Sequence, residues 1–311
     1  MSVRMKLLTL LRRLDPRDVL ELDGARRRWL TAGLFLLPSL AVLATFRFFS
    51  LLYNFYLTFH QSTYTSGMEY VGLENWQRLA SDDVFVTATL NTVLFFGTIP
   101  IGIAIALGLA LLLNRRFPGA KVMRSVFFIP YLTAMVAIAV IWQFILQTDG
   151  GILNRALMEI GLIQAEISWL GDSLWARVSV FFVQIWKSVG FYLVILLAGL
   201  QNISDQVNEV ARIDGASVYQ RFRYVTLPLL KPTLGVCVLV GLVTTFRLFD
   251  LITVMTGGGP GRSTEILLTW LYKQAFSFGK IGYAAVLTVV FWVVYMVATV
   301  SVQLLAQGSD Y

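Results

Sequence analysis

The chain has 311 residues, 57% of them hydrophobic and only 14% charged, with a formal net charge of +7 and a mean hydropathy of +0.71. Soluble domains carry about 25% charged residues, so the composition excludes a water-soluble enzyme and a disordered chain. The single cysteine, Cys237, excludes a disulfide-framed secreted domain. The excess positive charge does not point to nucleic acid, because no basic stretch interleaves with aromatics outside the apolar runs.

Residues 1–28 form a tail in which Leu7, Leu8, Leu10, Leu11 and Leu14 are interrupted by Arg12 and Arg13. A signal peptide has an unbroken apolar centre and a small-residue cleavage site. The pattern instead predicts a short amphipathic helix on the inner membrane surface, ended at Asp15-Pro16. Residues 29–311 then form one membrane domain with six predicted spans: Trp29–Phe49, Val84–Leu113, Val122–Leu146, Val178–Leu200, Thr233–Met255 and Ile281–Leu305. A hydrocarbon layer of ~30 Å needs about 20 helical residues at ~1.5 Å each. Val84–Leu113, Ser125–Thr148 and Ile281–Ser309 run 30, 24 and 29 residues without a charge. A membrane β-barrel would alternate in segments of about ten residues, so the expected fold class is an all-α integral membrane protein.

The charges orient the spans. The tail, the 114–124 loop and the 201–231 loop hold 16 of the 25 Lys and Arg residues. The intervening segments 60–83, 147–177 and 257–280 hold six. Cytoplasmic loops carry the excess of Lys and Arg, so both termini are expected in the cytoplasm. Arg47, near the end of the first span, is expected to snorkel at the outer interface.

The 201–231 loop has a pattern of its own. Ile203, Val207, Val210 and Ile213 recur near helical spacing, with Asp205, Gln206, Asn208, Glu209 and Arg212 opposite. Gly215 supplies a stop, Ser217 with Gln220 a capping box, and Pro228 and Pro232 the end. Two short helices follow from this. Acidic residues on the polar side favour a protein groove over anionic lipid as the surface they meet.

Polar residues at membrane depth are candidates for a translocation path. Lys187 lies nine residues into span four, about 14 Å deep, with Gln184 one turn away. In span five Arg247 and Asp250 are spaced to pair, and Thr244 and Thr245 lie deeper. Two roles stay open for these charges. Arg247–Asp250 is a structural ion pair or lines the path, and Lys187 lines the path or holds a neighbouring helix by its carbonyls. The run Gly257-Gly258-Gly259-Pro260-Gly261-Arg262-Ser263-Thr264 lacks the lysine and spacing of a phosphate loop and reads as an outer turn. His60 has no ligand-spaced partners, so no metal site is expected.

Glu209-Val210-Ala211-Arg212-Ile213-Asp214-Gly215-Ala216, followed by Leu227-Pro228, resembles the EAA motif of ABC importer permeases, with Val210 at the first alanine. Tyr70-Val71-Gly72-Leu73-Glu74-Asn75-Trp76, Phe127-Phe128-Ile129-Pro130 and Thr256-Gly257-Gly258-Gly259-Pro260 resemble the carbohydrate-uptake branch, of maltose, trehalose and glycerol-3-phosphate type. The resemblance covers Leu51 to Leu305 and implies the type I importer permease fold. It implies a coupling loop, residues 203–228, in which Glu209, Ala211, Asp214, Gly215 and Ala216 meet a separate ATPase subunit. ATP and Mg would be bound by that partner, with no cofactor in this chain. It further implies a second homologous permease, two ATPase subunits, an extracytoplasmic binding protein, and residence in a prokaryotic cytoplasmic (inner) membrane. Gln184 and Thr245 match positions near the family's sugar contacts. A secondary carrier of a small solute is the alternative. Such carriers usually show internal repeats, and residues 1–155 and 156–311 show none.

Overall fold

The computed structural model describes residues 24–61, 67–114, 118–245 and 248–307. The predicted helix in the N-terminal tail and Arg247 lie outside the described residues. The chain divides after Leu57 into two units.

The first unit holds α1 (Gly24–Leu43), a π-helical turn at Ala44–Phe48, and α2 (Phe49–Leu57). Together they form one predominantly apolar helix, as the run Leu34-Phe35-Leu36-Leu37 requires. The predicted span ended at Phe49, but the helix continues to Leu57, so Arg47 does not sit near its end. A single charge interrupts hydropathy without interrupting backbone hydrogen bonding.

The second unit opens with a two-stranded ladder, β1 (His60–Gln61) and β2 (Glu69–Tyr70), and α3 (Glu74–Ala80). Asn75 Nδ2 donates to the carbonyls of Thr58 and His60 at 3.0 and 3.1 Å, tying this cap together. Next come α4 (Asp83–Phe96) and α5 (Thr98–Leu113). They form one span, tightened at Gly97, whose N–H reaches only three residues back to Leu94 O. Pro100 has no N–H for the Phe96 carbonyl, which loosens the ladder there.

Span three differs from its prediction. It is α6 (Ala120–Leu132) and α7 (Met135–Ile145), bent by 98° at Thr133 and Ala134. Hydropathy runs evenly through the bend, so periodicity alone reads one rod. After α8 (Ile152–Glu159), span four is α9 (Ser173–Gln201). It starts before the predicted Val178 because Asp172 caps it, accepting from the N–H groups of Leu174 and Trp175.

The segment between spans four and five is α10 (Asp205–Ile213), α11 (Val218–Arg221), a π-helical turn at Phe222–Thr226, and α12 (Leu227–Leu229). Then follow α13 (Lys231–Thr245) and α14 (Leu248–Met255). The segment Val218–Leu229 meets α13 at 63°, a bend that lies before the predicted start of the fifth span at Thr233; α13 and α14 cover Thr233–Met255 but for residues 246 and 247, which lie outside the described residues. Last come α15 (Leu267–Tyr272), a π-helical turn at Lys273–Ser277, and α16 (Ile281–Gln307). Among the described residues four helices are long and apolar enough to cross a bilayer, or up to six where each bent pair counts as one span.

The core has two main parts. Ala106 and Ala110 of α5, Leu193 and Leu196 of α9, and Leu230 and Cys237 pack with no exposed surface. Met135, Ile138 and Ala139 of α7 pack against Leu248, Leu251 and Ile252 of α14. Without a hydrophobic drive between helices in lipid, such interfaces rest on close contact. Gly190 of α9 is among the tightest cases, since a Cβ there would overlap the carbonyl oxygen of Phe127 on α6.

Candidate functional site

The loop between spans four and five is built from local chemistry. Ser204 Oγ accepts from Gln206 N–H at 3.3 Å and starts α10. At the other end Gly215 takes φ +79°. Ala216 N–H then bonds Ala211 O at 3.0 Å and Gly215 N–H bonds Arg212 O at 3.1 Å. This pair of bonds is a Schellman C-cap, which favours glycine because left-handed backbone costs other residues. Ser217 and Gln220 form the reciprocal capping box at 2.8 and 3.3 Å, as the spacing predicts.

Of the five residues expected to meet an ATPase, Glu209, Asp214 and Gly215 are exposed, and Ala211 and Ala216 are half-buried. Ala211 and Ala216 thus serve the turn that presents the helix. The apolar stripe of α10 points outward: Val210 is 57% exposed and Ile213 84%. A helix whose apolar side turns away from its own chain is shaped for another surface. Behind it a cleft of about 740 Å³ is lined by Asn114, Ile203, Asn208, Tyr219 and Phe222, among others.

At membrane depth α9 presents Gln184 and Lys187, each 3% exposed, beside Ser188. Gln184 Nε2 donates weakly to Ser188 Oγ at 3.4 Å, and Gln184 Oε1 has no partner among the described residues. Lys187 Nζ donates to the carbonyls of Pro130, Tyr131 and Thr133 at 3.0, 3.3 and 2.5 Å. An unpaired lysine at a span centre costs roughly 2.5–3.5 kcal/mol to insert; these three acceptors offset that cost. Thr245 Oγ1 donates to Gly241 O at 2.8 Å. It also lines a cavity of about 10 Å³ with Thr92, Phe95 and Tyr295, the size of a single water. Asp250 is half-buried on α14; since Arg247 is not described, the ion pair drawn from their spacing is not described either.

Two further networks have no counterpart in the sequence pattern. Asp82 Oδ1 caps α4, while its Oδ2 accepts from Trp270 Nε1 at 2.9 Å and Tyr283 Oη at 2.5 Å. Burial raises the carboxyl pKa, but the bonds from Tyr283, Trp270 and the α4 N–H groups together bring it below its usual value. In the glycine run, Lys273 Nζ donates to Glu265 Oε2 at 2.5 Å and Gly257 O at 2.8 Å. Asn91 Nδ2 holds the carbonyls of Arg262 and Glu265 from α4. Those contacts fold the run into a fixed turn. Both networks join residues more than a hundred positions apart, which no local spacing signals. Among the described residues no three His, Cys, Asp or Glu side chains group to hold a metal ion.

Comparison with known proteins is consistent over most of the chain. Residues 98–310 match the family described as binding-protein-dependent transport system inner membrane component. A lactose transport system permease protein of Rhizobium radiobacter is 36% identical over 278 residues, 86% of this chain and 90% of that protein. A trehalose/maltose transport system permease protein of Thermococcus litoralis is 32% identical, covering 86% and 90%. In fold, the chain is similar to a chain from a bacterial ABC transporter involved in the import of the acidic polysaccharide alginate. That match has a TM-score of 0.79 at 22% identity and covers 92% of this chain and 98% of the other.

Proposed function

The chain belongs to the family of binding-protein-dependent transport system inner membrane components, and on that premise we propose that it is the permease subunit of an importer for a sugar or a related polyol or glycerol phosphate. Its fold is the all-α type I ABC importer permease fold. As a transport subunit it supplies part of a translocation path, with a second homologous permease supplying the rest. Two ATPase subunits hold the ATP and Mg, and an extracytoplasmic binding protein delivers the substrate. Both termini lie in the cytoplasm. The sugar reading is supported by the lactose and trehalose/maltose relatives.

The observation that carries the coupling reading is α10, whose Val210 and Ile213 face away from their own chain. Glu209, exposed beside them, is placed for a basic residue of the ATPase. The ATPase would bias the spans between two states through differential contact with this helix. The residues Gln184, Lys187, Thr245, Arg247 and Asp250 are assigned to the path or its walls.

The test is to substitute Glu209→Arg and Gly215→Val in the assembled transporter and purify it through a tag on this chain. Loss of the ATPase subunits, or ATP hydrolysis no longer linked to uptake, is expected. Wild-type assembly and uptake in both variants rejects the coupling assignment.

A further inference from the structure

The bend in span three poses an accounting problem. Where α6 stops at Leu132 and the backbone turns extended at Thr133 and Ala134, the last carbonyls lose their helical donors. Inside a bilayer no water replaces them. Thr133 Oγ1 reaches back to Ile129 O at 3.4 Å. The carbonyls of Pro130, Tyr131 and Thr133 all accept from Lys187 Nζ. An ammonium has three donors, and these are three acceptors, two in the last turn of α6 and one in the link. The cation also sits at the C-terminal, negative end of the α6 dipole.

The same stretch of α9 grips the bend twice more. Gly190 admits the Phe127 carbonyl where a Cβ would block it. Phe191 stacks on Tyr131 with centroids 4.3 Å apart and planes 17° from parallel. Pro130 withholds an N–H from Val126 and weakens α6 just before the bend. A straight span would need none of these features.

We propose that Lys187 is a positioning residue for transport: its ammonium replaces the donors lost at the bend and holds span three at its 98° angle, fixing the part of the path wall formed by Tyr131 and Phe191. This rests on the reading of α9 as a wall of the path. It assigns Lys187 no contact with the transported solute. The two roles open to this lysine become one, since holding the neighbouring helix is what shapes the path.

The experiment places spin labels at Val126→Cys and Ile141→Cys, both on exposed positions, in a Cys237→Ser chain within the assembled transporter. In a straight helix these sites would lie about 22 Å apart along the axis; the bend brings them nearer. Lys187→Met is expected to lengthen or broaden the distance distribution. Its saccharide uptake should fall about tenfold, as the loss of one to two interhelical hydrogen bonds implies. Lys187→Arg should keep the short, narrow distribution and most of the uptake, and Lys187→Gln should fall between. Wild-type distances or wild-type uptake in Lys187→Met overturns the proposal. Should Lys187→Met fail to assemble, the pair Lys187→Arg and Lys187→Gln decides, and equal distances and uptake in the two overturn it. If the wild-type transporter moves no saccharide, the functional reading fails while the distances still report whether Lys187 holds the bend.

Discussion

Lys273 Nζ lies 2.5 Å from Glu265 Oε2, and the carboxylate side chain is only 3% exposed while the lysine is 32% exposed. The pair closes the glycine-rich turn against the π-helical segment that follows α15. Its second carboxylate oxygen, Oε1, has no partner among the described residues. Lysine therefore does most of what keeps a charge tolerable in this buried place.

Removing that lysine should be costly. Lys273→Met leaves Glu265 buried and unpaired, a change worth ~3–5 kcal/mol for a fully buried pair. The partial exposure of Lys273 should reduce this to about 2 kcal/mol. Thermal unfolding in detergent measures it. Glu265→Leu in the same chain should recover most of the loss, because it removes the stranded charge.

The α6–α9 contact makes a sharper prediction. Gly190→Ala should cost upwards of ~3 kcal/mol, since the new methyl meets backbone and not a movable side chain. Gly108→Ala in α5 is the control: a Cβ there meets nothing within 4 Å. That substitution should be neutral or gain up to about 1 kcal/mol of helix propensity. Yields of folded protein and unfolding temperatures distinguish the two.

Asp82 should make the network at the start of α4 acid-sensitive. Its carboxyl pKa is lower folded than the usual 3.8. Its contribution is therefore present above the unfolded value and lost as pH falls from there through the folded one. Unfolding temperature measured from pH 6 downward should drop more steeply at the acid end for wild type than for Asp82→Asn. At pH 7, Asp82→Ala should cost about 1–2 kcal/mol for the lost cap of α4, and more for the stranded Trp270 and Tyr283 donors.

The path assignment is tested at one glutamine and one threonine. Gln184→Ala removes an amide whose Oε1 has no partner, so stability should change by less than about 1 kcal/mol. Thr245→Ala loses a hydroxyl bonded to Gly241 O of its own helix and to the Tyr295 side chain of α16. Both should alter saccharide uptake while assembly stays intact. Unchanged uptake kinetics in both variants remove the two residues from the path.

The sequence by itself determined the all-helical membrane class, the approximate places of six spans, and the loop at residues 203–228. Each of these rests on local physics: uncharged length against bilayer thickness, the helical period of Ile203 to Ile213, the stop at Gly215 and the Ser217–Gln220 cap. Only the tertiary structure decided that span three bends at Thr133 and Ala134 and that Lys187 satisfies the bend. Hydropathy sums side chains and is blind to backbone carbonyls whose donor comes from a helix more than fifty residues away. The same holds for Asp82 with Trp270 and Tyr283, and for Gly190 against Phe127. These pairings depend on which helices lie side by side, and the spacing of residues along one chain carries no record of that.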